Sequence, residues 1–309
     1  MSKLSASYNF PGGFLWGTTL RDDSLFLKEN AAYLYQLKEN NISAITVFLN
    51  WADYEPLKNN YDEALIDATR GFFSRLSSQN ITPIAVFDIS EIPHWQNLER
   101  SGKHNTFSQE KLNFSKYLAN TIIPYTKYFS FLISAKSAAS QRSFDTDLKT
   151  IHEIRDYIRS INDQTQTGIL FHAGSFSKNG SFFSQIWNKP AISSLKKSDL
   201  DFIGINTAPE MIEQIQIVFG KERKPLLLYS DQLSSKPIDL RSDTLITNIY
   251  EIWRIYQNGW PVLGYFSEID ISEAGSIKER FSTISKTNSL ELSTDDPELP
   301  EKWLRFLKD

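Results

Sequence analysis

The sequence contains no cysteine, which excludes disulfides, thiolate nucleophiles and cysteine-ligated metals. It has no excess of positive charge. Its 33 Lys and Arg stand against 37 Asp and Glu, and the net charge of −4 supplies no field to hold a phosphate backbone. Nucleic acid is therefore not an expected partner. No run approaches the ~20 apolar residues of a membrane span, and the opening MSKLSASYNFPGGF has no apolar h-region. The expected location is the cytoplasm with no membrane contact, with export by a route that reads no hydrophobic signal left open. The Asn-x-Ser/Thr triplets at 41, 80, 113 and 179 matter only in that exported case. There is no G-x-G-x-x-G or Walker motif, so a nucleotide cofactor has no signature here. His94, His104, His152 and His172 show no H-E-x-x-H or similar spacing, and neither a metal nor any other cofactor is expected.

What is present is a rhythm. Short apolar runs alternate with amphipathic stretches, as in a parallel sheet wrapped by helices. Eight runs read as strands: 13–18, 44–50, 82–88, 128–134, 167–172, 201–206, 224–230 and 261–268. Helices are expected at Ser24–Asn40, Asp62–Gln79, Asp145–Asn162 and Asp243–Asn258, the last with Asp243 as N-cap and Gly259 just beyond its end. The 309 residues suit one α/β domain, a single (β/α)8 TIM barrel, and no linker or solenoid repeat divides them. Residues 282–309 read as a polar loop followed by a short helix, Pro300–Leu307, that packs Trp303 and Leu304 on the barrel. Aromatics reach 13%, but 21 of them are Phe, which points to a bulky core before sugar-stacking platforms.

Several segments, in order, resemble family 1 glycoside hydrolases. FPGGFLWGT is similar to the family's opening strand, and SAITVFLNWADYEP to its second, with Trp51 and Pro56 in place. ITPIAVFDISEIPHW is similar to the third strand and following loop, with Pro83, Pro93 and Trp95 in place. DFIGIN and PVLGYF resemble the sixth and eighth strands. The resemblance spans residues 10–281. It implies the barrel fold, with shortened βα-loops because the stretch between strands 4 and 6 is brief.

The same resemblance makes the missing chemistry visible. A retaining glycosidase needs two carboxyl groups about 5–5.5 Å apart, one nucleophile and one acid/base. In the family these glutamates end strands 4 and 7. Aligned here, Ser134 stands at the acid/base, between Ile133 and Ala135, and Ser230 at the nucleophile, before Asp231 and Gln232. The Arg that pairs with the nucleophile becomes Thr46, the sugar-contacting His-Trp pair becomes Ile89-Ser90, and the Trp beyond strand 8 becomes Glu268. Asn206 keeps a polar site position, followed by Thr207 in place of Tyr. A serine hydroxyl has no useful acidity near neutral pH, and no Ser-His-Asp arrangement is evident to activate it.

The expectation is a pseudoenzyme: no retaining β-glycosidase activity, and a carbohydrate or protein ligand at the C-terminal barrel face, with Asn206, Trp51, Trp95 and His172 as binding candidates. Two alternatives stay open. One is a glycosyl hydrolase with relocated carboxylates, for which Glu268, Asp270 and Glu91 keep inward parity, whereas Asp88 and Asp231 are expected to face the helices. The other is a purely structural or interaction protein, favoured if Phe, Tyr or Trp side chains fill the pocket. The oligomeric state is not readable.

Overall fold

The structure is a computed structural model that describes residues 15–20, 31–39, 42–88, 93–95, 106–133, 141–171, 195, 197–206, 224–229 and 261–267. Its eight strands are β1 (Leu15–Leu20), β2 (Ala44–Asn50), β3 (Thr82–Asp88), β4 (Tyr128–Ile133), β5 (Gln166–Phe171), β6 (Phe202–Asn206), β7 (Leu226–Tyr229) and β8 (Val262–Ser267). All neighbours pair in parallel, and β1 pairs with both β2 and β8, so the sheet closes into a barrel in sequence order. The expected (β/α)8 architecture is thus observed. Strands 2 and 3 coincide with the sequence reading, and β1 lies two residues later than expected.

The described helices are α1 (Ala31–Glu39), the single turn α2 (Trp51–Tyr54), α3 (Glu63–Ser78), α4 (Thr106–Ile122) and α5 (Gln141–Ile161). Helix α3 shows why these segments fold as they do. Asp62 caps it by accepting from the Leu65 amide at 2.9 Å. Leu65, Ile66, Thr69, Phe72, Phe73 and Leu76 recur at helical spacing and form its buried face. Asn80 ends it with φ 59°, while the Ile81 amide returns to the Leu76 carbonyl at 2.9 Å, a left-handed closure. Helix α5 begins four residues before the expected Asp145. The expected helices at 243–258 and 300–307 lie outside the described residues.

Alternation along the strands divides the core in two. Ile45, Val47, Leu49, Ala85, Phe87, Phe129, Phe131, Ile169, Ile203, Leu226, Leu228 and Tyr265 pack against the helices. Leu15, Ala44, Ile84, Val86, Leu132, Leu170, Phe202, Leu227, Tyr229 and Phe266 fill the barrel interior. This interior works by pairing large side chains with absent ones. The Phe266 ring lies where a Cβ on Gly17 would be, and the Phe202 ring does the same at Gly168. A Cβ on Gly204 would meet Leu170 at 2.7 Å and Tyr229 at 3.1 Å. Close packing of this kind leaves no slack for an added methyl group.

The face at the strand N-termini is tied by charge. Arg159 on α5 holds both oxygens of Asp201 at 2.8 Å, and Asp201 also accepts from the Thr167 amide at 2.7 Å. Lys224 donates to the Ser198 and Leu200 carbonyls at 2.7 and 2.9 Å. His152, on the same helix, has its pKa pushed down by burial and then by Arg155. Conserved chemistry of a barrel belongs to the opposite face, so these contacts read as structural.

Substituting Gly168→Ala tests the interdigitation directly. The new Cβ meets both the Phe202 ring and, at 2.6 Å, the Phe202 carbonyl oxygen, and backbone cannot step aside cheaply. A destabilisation of about 3 kcal/mol is expected in chemical denaturation. An unchanged midpoint would show that the interior is looser than described.

Candidate functional site

The site to test is the rim formed by the C-terminal ends of the strands, where barrel enzymes keep their chemistry. Two of the sequence-predicted residues, Trp51 and Trp95, are placed there with their side chains. Trp51 opens α2 immediately after β2, and the Asn50 side chain caps that turn by accepting from the Ala52 amide at 3.0 Å. Trp51 is fully buried, stacked on Phe114 with centroids 5.9 Å apart and set edge-on to Trp95 at 6.2 Å.

Both indole N–H groups are taken. Trp51 Nε1 donates to Glu55 Oε2 at 2.7 Å, and Trp95 Nε1 donates to the Glu55 carbonyl at 2.9 Å. Glu55 is itself buried and accepts the Asn59 amide on Oε1 at 2.8 Å. Burial pushes its carboxyl above the ordinary range, against the lowering effect of the Trp51 and Asn59 donors. Lys58 pairs with Glu110 at 3.1 Å and lies 5.6 Å over the Trp95 ring. The two tryptophans therefore brace the β2 exit, and the cluster they form offers no open aromatic face for sugar stacking.

The interior side of the rim holds Thr46 and Asp88. Thr46, aligned with the family's arginine, is fully buried on the barrel side of β2 and faces the phenol of Tyr229. Tyr229 is stacked on Phe266 at 5.3 Å, and burial raises its pKa well above that of free tyrosine. Asp88 corrects an expectation. Because Ile84 and Val86 point into the barrel while Ala85 and Phe87 face the helices, Asp88 continues the interior side of β3. Phe87 fixes this parity by packing with Phe129 and Phe131, centroids 5.9 and 5.4 Å away, in the outer layer. The Asp88 charge reaches Lys111 on α4, a buried lysine 3.4 Å from Asp147 whose pKa is lowered by burial and raised by both carboxylates.

Strand β7 bears on the alignment of Ser230, which it precedes. Aligning Ser230 with an inward nucleophile and turning Asp231 outward requires Leu226 and Leu228 to face the interior. Instead Leu227 and Tyr229 do so, and Leu226 and Leu228 pack against the helices. The alternation within β7 thus gives no support to an inward Ser230. Ser134, Ser230, Asp231, Glu268, Asp270, Glu91 and His172 themselves lie outside the described residues. Asn206 ends β6, in register with Tyr229.

No protein-family model matches this sequence, and no curated protein matches it. Solved structures do. A family 1 β-glucosidase from Thermotoga maritima in complex with isofagomine lactam superposes with TM-score 0.63 at 14% identity, covering 83% of this chain and 88% of that one. Another structure of a family 1 β-glucosidase from Thermotoga maritima gives 0.61 at 13%, with the same coverage. An apo β-glucosidase designated 1317 gives 0.62 at 13%, covering 82% and 87%. The barrel is β-glucosidase-like. Identity this low carries the fold alone, and function has to be argued from the site.

Sequence reasoning missed Glu55 and considered Asp88 only as facing the helices. Glu55 sits in the quoted ADYEP segment, and its link to Trp51 is an i, i+4 spacing that a helical turn brings together. Replacing Glu55 with Ala leaves the buried Trp51 N–H without an acceptor. The expected cost is about 1–3 kcal/mol in urea denaturation, with altered tryptophan emission. No loss of stability would mean that the tryptophans are not held as described.

Proposed function

We propose that this chain is a family 1 glycoside hydrolase-like pseudoenzyme: a β-glucosidase-type barrel without retaining β-glycosidase activity, kept for binding a carbohydrate or protein ligand at its C-terminal face. One observation carries this reading. Where the resemblance implies an arginine beside the nucleophile, Thr46 is buried against Tyr229, and Tyr229 is stacked on Phe266. A carboxylate nucleophile needs a compensating charge in so buried a setting, and neither a threonine nor a neutral phenol supplies one. Serine at position 134 agrees with that loss. The aromatic interior leans the role toward contact at the rim and away from a deep sugar pocket. The same proposal takes no metal or cofactor, no nucleic acid and a cytoplasmic location.

A second reading keeps hydrolysis through relocated carboxylates, and the interior parity of Asp88 is what favours it. Glu268, two residues beyond the interior Phe266, would be its partner, with Asp270 and Glu91 as the other candidates. Two such groups must lie within about 5–9.5 Å to act on a glycosidic bond.

Purified protein assayed with aryl β-glycosides of glucose, galactose and their 6-phosphates is expected to give no turnover above buffer. Turnover that Asp88→Asn or Glu268→Gln abolishes would overturn the pseudoenzyme reading and establish the second.

A further inference from the structure

The barrel interior contains hydroxyl groups that its packing does not explain. Thr19 and Thr46 are register partners on β1 and β2, and both follow the interior alternation, set by Leu15 and Ala44. Tyr229 reaches toward Thr46 from β7. The three residues are 5%, 0% and 1% exposed, and none of their side-chain oxygens completes a hydrogen bond of normal geometry within the protein. Ser130, on the interior side of β4, carries a further unpartnered hydroxyl.

Leaving a buried hydroxyl unsatisfied costs about 1–3 kcal/mol, and the great majority of buried polar side-chain atoms in folded proteins have a partner. Three such oxygens converging from β1, β2 and β7 would be a heavy accumulated penalty if they met only hydrocarbon. We propose that Thr19, Thr46 and Tyr229 line a closed chamber inside the barrel that binds ordered water. An internal water typically makes about three hydrogen bonds to otherwise unsatisfied groups, which matches the three hydroxyls in number. Each hydroxyl both donates and accepts, so the set suits a neutral oxygen. A cation has no carboxylate to meet among the described interior residues at this level, since Asp88 ends its strand at the rim.

The walls set the size. Phe266 occupies the space beside Gly17 and stacks on Tyr229 at 5.3 Å, while Tyr229 closes over Gly204. These rings pack closely around the three hydroxyls, so the ligand proposed is water and not a sugar ring. The chamber does not depend on whether the rim above it is catalytic, so an activity assay decides that question separately.

The test uses substitutions that remove one hydroxyl and keep the shape. Thr46→Val and Tyr229→Phe are each expected to lower the thermal midpoint by about 2–4 °C. Each should also reduce the number of long-lived internal waters counted by oxygen-17 relaxation dispersion. The double variant should lose less than the sum, because both hydroxyls serve the same water. A rise in midpoint with the water count unchanged would show dry, unsatisfied hydroxyls and overturn the proposal. So would a fall in midpoint with the water count unchanged, which would trace the loss to packing.

Discussion

Everything inside this barrel depends on aromatic rings lying where glycines have no side chain. Phe266 over Gly17, Phe202 over Gly168 and Tyr229 beside Gly204 interlock strands that are neighbours in the closed sheet. Closure of eight strands leaves an interior just wide enough for side chains to fill, and large-against-small pairing is how five of these strands fill it. The constraint is steric and therefore unforgiving. It also fixes which face of β1, β5, β6, β7 and β8 looks inward, since the ring and the glycine must share a side.

That packing reaches the floor of the rim where a glycosidase would keep its charges. Tyr229 and Phe266 are parts of the interlock, and Thr46 meets them from β2. Charged groups near this level are displaced outward: Lys111 is buried with Asp147 between α4 and α5, and Glu55 is locked to the tryptophans beside β2. Asp88 is the exception, ending β3 on the interior side. The contrast between a neutral floor and a single described carboxylate in step with the interior alternation is the physical basis of the proposed loss of hydrolysis. It is equally the reason Asp88 heads the competing reading.

The barrel was legible in the sequence because strand count, order and spacing depend on apolar runs and turn signals, which are local. Strands β2 and β3 were readable to the residue, and Asp62 announced the start of α3. Facing was not legible on β3 and β7. Buried parallel strands are apolar on both sides, so Thr-Pro-Ile-Ala-Val-Phe and Pro-Leu-Leu-Leu-Tyr show no alternation to read. Alignment to a family supplied a parity instead, and the alternation of Ile84, Ala85, Val86 and Phe87 opposes the one it gave Asp88. The roles of Trp51 and Trp95 were hidden for a related reason: an indole in a rim motif reads as a sugar platform until the acceptor for its N–H, here Glu55, is known.

Covalent trapping examines the absence of a competent nucleophile more directly than any rate. A 2-deoxy-2-fluoroglucosyl fluoride leaves a long-lived glycosyl ester on the nucleophile of a retaining enzyme, which intact-protein mass spectrometry detects without turnover. The account predicts an unmodified mass after prolonged incubation of the folded protein. A single glycosyl adduct, mapped by peptide sequencing to a rim carboxylate such as Asp88, Asp231 or Glu268, would contradict it.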